Sequence, residues 1–118
     1  MSFLKRSAPK PVPPERDFAT MADQLRRAGA DLAVPHVTRH FVYVPGVKAA
    51  QMVARRVKAG NRGVDIETSA RTGFWLVIVS QPMVVSQENL AAIKGELESV
   101  AQSVGGEYDR WQVEVASA

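Results

Sequence analysis

The sequence predicts an α+β fold in which four strands and two helices follow the order β-α-β-β-α-β, preceded by an extra N-terminal helix. Three observations support this prediction. Apolar residues recur at helical spacing in three segments, and in four others they alternate with polar residues or run continuously. Glycine or proline separates most of these segments. With 118 residues and 46% hydrophobic content, the chain is long enough for one domain with its own core.

The first sixteen residues differ in composition from the rest. Four of the seven prolines lie between positions 9 and 14, where they favour an extended, solvated chain. Four basic residues against one acidic residue give this segment the whole net charge of the protein, +3. We therefore predict a flexible, Pro-rich basic arm over residues 1–16 and a single domain over 17–118. The basic residues of the arm are Lys5, Arg6, Lys10 and Arg16.

The first half of the domain contains two predicted helices and one strand between them. Asp17 is a candidate N-cap for the extra helix, whose apolar residues from Phe18 to Ala28 have helical spacing. Thr38 to Val44 is rich in β-branched and aromatic residues and ends at Pro45, which predicts the first strand. From Val47 to Ala59 the spacing becomes helical again.

The second half contains the other three strands and the last helix. Val64 to Thr68 alternates apolar and polar residues, and Phe74 to Val79 is apolar on both sides, as in a central strand that ends before Pro82. Ser86 is a suitable N-cap for an amphipathic helix that reaches Val104, and Tyr108 to Val115 alternates as a final strand. This order is the ferredoxin-like arrangement, in which two helices cover one face of a four-stranded antiparallel sheet.

The strand from Phe74 to Val79 raises a question about the other face of that sheet. Because the strand is apolar on both sides, some of its side chains must point away from the two helices. An uncovered apolar face is typical of a binding surface. The alternative is that the extra N-terminal helix covers this face, and the sequence leaves both possibilities open.

Charge is divided unevenly between the two halves of the domain. Residues 18–71 carry nine basic and four acidic residues, whereas residues 72–118 carry two and six. The halves could complement each other in the fold, with the basic stripe of the helix from Val47 to Ala59 near Glu96 and Glu98. They could also form a functional basic face.

Residue patterns typical of catalysis or metal binding are weak. The absence of cysteine excludes disulfides and thiolate chemistry and fits a reducing compartment, so we predict a cytoplasmic protein. His36 and His40 would lie ~13 Å apart on an extended chain, too far to share a metal. Glu107 and Asp109 follow a glycine pair, where turn chemistry explains acidic residues. No segment approaches the ~20 apolar residues that span a membrane. We therefore predict a protein that is not an enzyme and has no cofactor or metal.

Two other functions remain compatible with these patterns. RNA-recognition modules share the order β-α-β-β-α-β and stack bases on strand aromatics, so Phe41, Tyr43, Phe74 and Trp75 could bind single-stranded RNA. A plain protein-assembly module, pairing through an edge strand or the apolar face, is the third possibility.

One stretch of the sequence resembles a known family. Gly105 to Asp109, followed by Trp111, comes directly after an amphipathic helix, and His40 to Tyr43 and Gly73 to Leu76 lie in the predicted first and third strands. In these features, residues 17–115 are similar to the regulator of ribonuclease E activity B family, the ribonuclease E inhibitor proteins.

The resemblance implies a ferredoxin-like fold in a bacterial, cytoplasmic regulator of RNA decay. Such a regulator binds ribonuclease E and restrains its cleavage without a catalytic site of its own. The same motif residues could instead serve the fold, since Gly105 and Gly106 can end a helix and aromatic residues can fill the core. The residues expected to contact the partner are His40, Tyr43, Trp75, Glu107, Tyr108, Asp109 and Trp111.

Overall fold

The computed structural model describes residues 18–114 and confirms the predicted α+β fold. The predicted arm and the predicted N-cap Asp17 lie outside the described residues. The elements are α1 (Phe18–Arg27), β1 (His36–Val44), α2 (Val47–Val57), β2 (Gly63–Thr68), β3 (Trp75–Met83), α3 (Gln87–Ser103) and β4 (Glu107–Glu114). The four strands form one antiparallel sheet in the order β2-β3-β1-β4, which is the ferredoxin-like order.

Strand β3 is longer than the sequence predicts, because it continues through Pro82 to Met83. Strand β2 begins at Gly63, which pairs with Ser80, so from Gln81 onward β3 has a neighbouring strand only on the β1 side. A proline is tolerated in a strand where its missing N–H is not needed for pairing. The expectation that Pro82 ends the strand is therefore wrong.

The hydrophobic core lies between one face of the sheet and the helices. Val42 and Val44 of β1 lie beside Val77 and Val79 of β3, and all four are completely buried. Two side chains of α1 belong to this same core, so the extra N-terminal helix packs on the same side of the sheet as the other two helices. Within residues 18–114, no helix covers the opposite face of the sheet, which we call the open face. The helix residues of the core are Met21, Leu25, Ala50, Val53, Val57, Leu90, Ile93, Leu97 and Ala101.

The glycine pair after α3 has two different structural roles. Gly105 adopts φ 77°, and the N–H groups of Gly105 and Gly106 donate to the Gln102 and Ala101 carbonyls, which is a Schellman helix end. Gly106 passes so close to β1 that a Cβ atom there would collide with the Tyr43 carbonyl oxygen. The pair therefore ends the helix and allows β4 to enter the sheet.

Three ion pairs connect the basic and acidic halves of the described chain, and two of them join Arg39 to Glu114 and Arg71 to Glu107. In the third, Arg62 in the α2–β2 loop holds Glu96 of α3 through two bonds of 2.7 Å. The halves do complement each other, but not through the basic stripe of α2 as expected. Of the described residues, none forms an ion pair with the α2 side chains Lys48 and Arg55. None of the helices in residues 18–114 has the length and hydropathy needed to cross a membrane.

Candidate functional site on the open sheet face

The centre of the open face is a block of four apolar or aromatic side chains from the two middle strands. The strand register places Phe41 opposite Ile78 and Tyr43 opposite Leu76. Tyr43, Leu76 and Ile78 are half-buried, and Phe41 is only 8% exposed. None of these four side chains packs against the core on the helix side.

Two arginines lie over the aromatic rings of this block and of the adjoining Phe74. The Arg110 guanidinium lies 4.3 Å from the ring centre of Phe41. The Arg71 guanidinium lies 4.4 Å from the ring centre of Phe74 and 5.2 Å from that of Tyr43. An arginine over an aromatic face is held by the electrostatic attraction of the ring. The aromatic part of the open face is therefore capped by cations within the protein itself.

Each capping arginine is also bound to an acidic residue of β4. Arg71 donates to Glu107 over 2.9 Å, and Arg110 donates to its neighbour Asp109 over 2.8 Å. A β-bulge makes the second arrangement possible, because Phe41 pairs with Arg110 whereas Val42 pairs with Tyr108. Asp109 is the extra residue, and its insertion brings Arg110 to the open face opposite Phe41. Both arginine side chains are therefore already held in place in the protein without a partner.

The other side of the open face is acidic. Asp65 and Glu67 of β2 stand opposite Ile78 and Leu76 of β3 and are exposed. Within the described part of the chain, neither carboxylate has an ion-pair partner. The face therefore has three zones: carboxylates on β2, an apolar centre, and arginine-capped aromatics toward β4.

The structure separates the residues expected to contact a partner into two groups. Tyr43 and Glu107 lie on the open face, and Asp109 is exposed at the bulge. The other four belong to the helix-covered side of the sheet, where His40 is fully buried and Trp111 is 3% exposed. Those four are His40, Trp75, Tyr108 and Trp111.

His40 is the centre of a buried chain of hydrogen bonds. The Thr38 hydroxyl donates to the Gln81 carbonyl over 3.1 Å, so it accepts a hydrogen bond from His40 Nε2 over 2.9 Å. His40 Nδ1 must then accept from the Tyr108 hydroxyl, 3.0 Å away. Burial, with a smaller contribution from the positive charge of Arg62, lowers the pKa of His40 to about 4. Through these hydrogen bonds the neutral histidine links β1 to Gln81 of β3 and to Tyr108 of β4.

Arg62 has a structural role beside this chain. Its side chain is 12% exposed and donates to the Val57 carbonyl, to Gln81 and to Glu96. The hydrogen bonds raise the pKa of Arg62 above its ordinary value and lower that of Glu96. A pocket of about 320 Å³ lies next to them, but its charged walls are these two residues, which already bind each other. We therefore assign no ligand to it.

Sequence reasoning predicted Glu107 but missed four other residues that give the open face its charge. Arg71 lies in a turn, Arg110 follows a bulge, and Asp65 and Glu67 look like ordinary solvent-facing strand positions. The alternation in β2 was a usable signal, because it places both carboxylates on one face. The positions of the two arginines depend on tertiary contacts and have no local signal.

These observations define a small α+β protein of ferredoxin-like topology with helices on one face of its sheet and a zoned open face. The sequence matches the family model described as Regulator of ribonuclease activity B over residues 17–113, and the chain belongs to this family. The family resemblance noted from the sequence is thereby confirmed, and regulation of a ribonuclease is the function that the family implies. No curated protein matches the chain.

Proposed function

We propose that this protein binds ribonuclease E and restrains its cleavage of RNA, without a catalytic site of its own. Membership of a family of ribonuclease regulators is the observation that carries the proposal. The cytoplasmic location expected from the cysteine-free sequence is part of it. The contact surface we propose is the open face, with Tyr43, Glu107 and Asp109 among its residues.

The composition of the open face supports a protein partner. Tyrosine, phenylalanine and arginine are enriched in the buried centres of protein interfaces, where they contribute much of the binding energy. Here Tyr43 is a rigid strand residue, and Arg71 and Arg110, the second lying over the buried ring of Phe41, are already held by ring and carboxylate. Such side chains lose little conformational freedom on binding, which lowers the entropic cost of association.

A test compares two substitutions that replace an apolar side chain by glutamine on opposite sides of the molecule. Ile78→Gln alters the centre of the open face, whereas Met52→Gln alters an exposed residue of α2 that is 39% accessible. The measurement is the rate at which ribonuclease E cleaves an RNA substrate at increasing concentrations of each full-length protein. We expect inhibition by the wild type and by Met52→Gln, and roughly tenfold weaker inhibition by Ile78→Gln.

Circular dichroism and thermal unfolding of both variants serve as the folding control. Failure of the wild type to bind and inhibit ribonuclease E would contradict the proposed function. If the two variants are folded and inhibit ribonuclease E equally well, the assignment of the open face as the contact surface is contradicted.

Direct binding of single-stranded RNA by the same face is the second candidate, because Phe41 and Tyr43 lie on it beside two arginines. Trp75, however, packs on the helix side. Bases would also have to displace Arg71 and Arg110 from the ring faces on which they would stack. This candidate predicts an RNA affinity that falls steeply with salt and decreases in Tyr43→Ala.

A further inference from the structure

The two edge strands of the sheet, β2 and β4, differ in whether their carboxylates are paired with arginines. Strand β4 carries Glu107, Asp109 and Glu114, and each of these is paired with an arginine of the described chain. Strand β2 carries Asp65 and Glu67, and neither is paired with a described residue. The unneutralised carboxylates of the sheet edges are therefore all on β2.

The two edges also differ in backbone regularity. All six residues of β2 pair in continuous register with β3, whereas the pairing of β4 with β1 is interrupted by the bulge. A bulge disfavours the addition of another strand, while a regular edge presents a row of unused N–H and C=O groups. Among the described strands, none pairs with the outer edge of β2. The backbone there is ready to accept an added strand.

We propose that the outer edge of β2 accepts an extended segment of the partner in which basic and apolar residues alternate. This inference deepens the proposed function and rests on it, because we place the segment in the ribonuclease. Addition of a strand to a sheet edge is an established mode of peptide recognition. The alternation follows from the side chains that β2 presents on its two faces.

On the open face, a residue of the added strand lies beside Asp65 and another beside Glu67. Neighbouring strands bring directly opposed side chains within about 5 Å, so lysine or arginine at these two positions is complementary. The intervening residues point to the helix side, next to the half-buried Val64 and Ile66. Apolar side chains suit those positions, and the motif is basic, apolar, basic, apolar.

The same charges argue against a second copy of this chain as the occupant. Pairing of two β2 edges would bring carboxylates of one copy close to carboxylates of the other, and like charges on opposed strands are destabilising. The acidic edge therefore selects against self-association and in favour of a basic segment. It also adjoins Leu76 and Ile78, so a partner strand on β2 would extend the open face without a gap.

The first test uses full-length ¹⁵N-labelled protein and a synthetic peptide in which lysine or arginine alternates with valine. We expect the largest amide shifts within Gly63–Thr68 and small ones in β4. The variant Asp65→Asn/Glu67→Gln should bind the peptide about tenfold more weakly, whereas Glu88→Gln/Glu98→Gln, with the same change in charge on α3, should bind as the wild type does. A peptide of equal composition with its basic residues clustered should also bind more weakly.

A variant with reversed charge on β2 serves as a control for misfolding. Asp65→Lys/Glu67→Lys should lose the basic peptide and bind a peptide in which glutamate alternates with valine. Shifts centred outside β2, or equal weakening in the α3 control, would overturn the inference. So would β2 shifts in the peptide-free protein on Lys5→Glu/Lys10→Glu, because they would identify the protein's own basic arm as the occupant.

The ribonuclease itself separates this inference from the proposed function. If wild-type protein does not bind ribonuclease E, the proposed function fails. If wild-type and Asp65→Lys/Glu67→Lys proteins bind it equally tightly, the proposed function stands and the β2 inference is wrong. The expected result is about tenfold or greater loss of affinity for ribonuclease E in the lysine variant alone.

Discussion

The covered and open faces of the sheet both carry polar groups but hold them differently. On the covered face, Tyr108, His40 and Thr38 form a closed hydrogen-bond chain that ends on a backbone carbonyl. On the open face, Arg71 and Arg110 bind carboxylates through side chains that are 45% and 44% exposed. Buried, satisfied polar groups specify the fold, whereas exposed pairs contribute little stability and remain available to a partner. The difference separates the residues that maintain the fold from those that we expect to contact the ribonuclease.

The largest effect should come from the glycine that lets the start of β4 approach β1 closely. Gly106→Ala places a methyl group against the Tyr43 carbonyl, so we expect a loss on the order of 3 kcal/mol in the free energy of unfolding. In Gly105→Ala the new methyl group makes only an ordinary contact with the Pro45 side chain, so the cost is the strain of a left-handed backbone, about 1 kcal/mol. Urea unfolding of both variants checks the order, and equal losses would show that the close approach is unimportant.

The second effect concerns acid stability and His40. The pKa of His40 is about 4 in the folded protein and 6.5 in an exposed histidine, so the unfolded chain binds more protons between these values. The contribution of His40 to the free energy of unfolding is therefore complete above pH 6.5. It is lost as pH falls toward 4, by about 3 kcal/mol in total. His40→Gln, which can donate and accept in the same place, should flatten the stability curve between pH 6.5 and 4.5. Parallel curves for the two proteins would contradict this account.

A third comparison sets one arginine of each face against the other. Arg62→Ala removes a side chain that donates to Glu96, Gln81 and a carbonyl, and we expect a loss of about 2 kcal/mol. Arg71→Ala removes an exposed cap and an exposed ion pair, so the loss should stay below about 1 kcal/mol. Thermal unfolding measures both. A larger loss for Arg71→Ala would mean that the open face stabilises the fold.

The smallest effect comes from two matched hydroxyl deletions. Tyr108→Phe leaves His40 Nδ1 buried without a donor and should cost about 1 kcal/mol. Tyr43→Phe removes a hydroxyl from the open face and should change stability by less than about 0.5 kcal/mol. The measurement is the denaturation midpoint of each variant. A larger loss of stability in Tyr43→Phe than in Tyr108→Phe would contradict the distinction between the two faces.

The sequence was sufficient to predict most elements, because their periodicities reflect which side of each element is buried. The amphipathic pattern from Leu90 to Val104 and the N-cap Ser86 predicted α3 almost completely. The full length of β3 was not predicted, because Pro82 fits in the strand only where β2 no longer pairs with it. The direction of Trp75 and the reach of Arg71 to Tyr43 depend on strand register and on a turn, which no local pattern encodes.

The most direct test of the central claim is methyl NMR of the full-length protein in complex with ribonuclease E. The chain has three isoleucines, of which Ile78 lies on the open face, Ile66 on the helix side of β2 and Ile93 in the core. Met52 on α2 provides an exposed control. We predict that Ile78 shifts or broadens most on binding, while Ile93 and Met52 stay unchanged. A complex that perturbs Met52 and leaves Ile78 unaltered would contradict the assignment of the open face as the ribonuclease-binding surface.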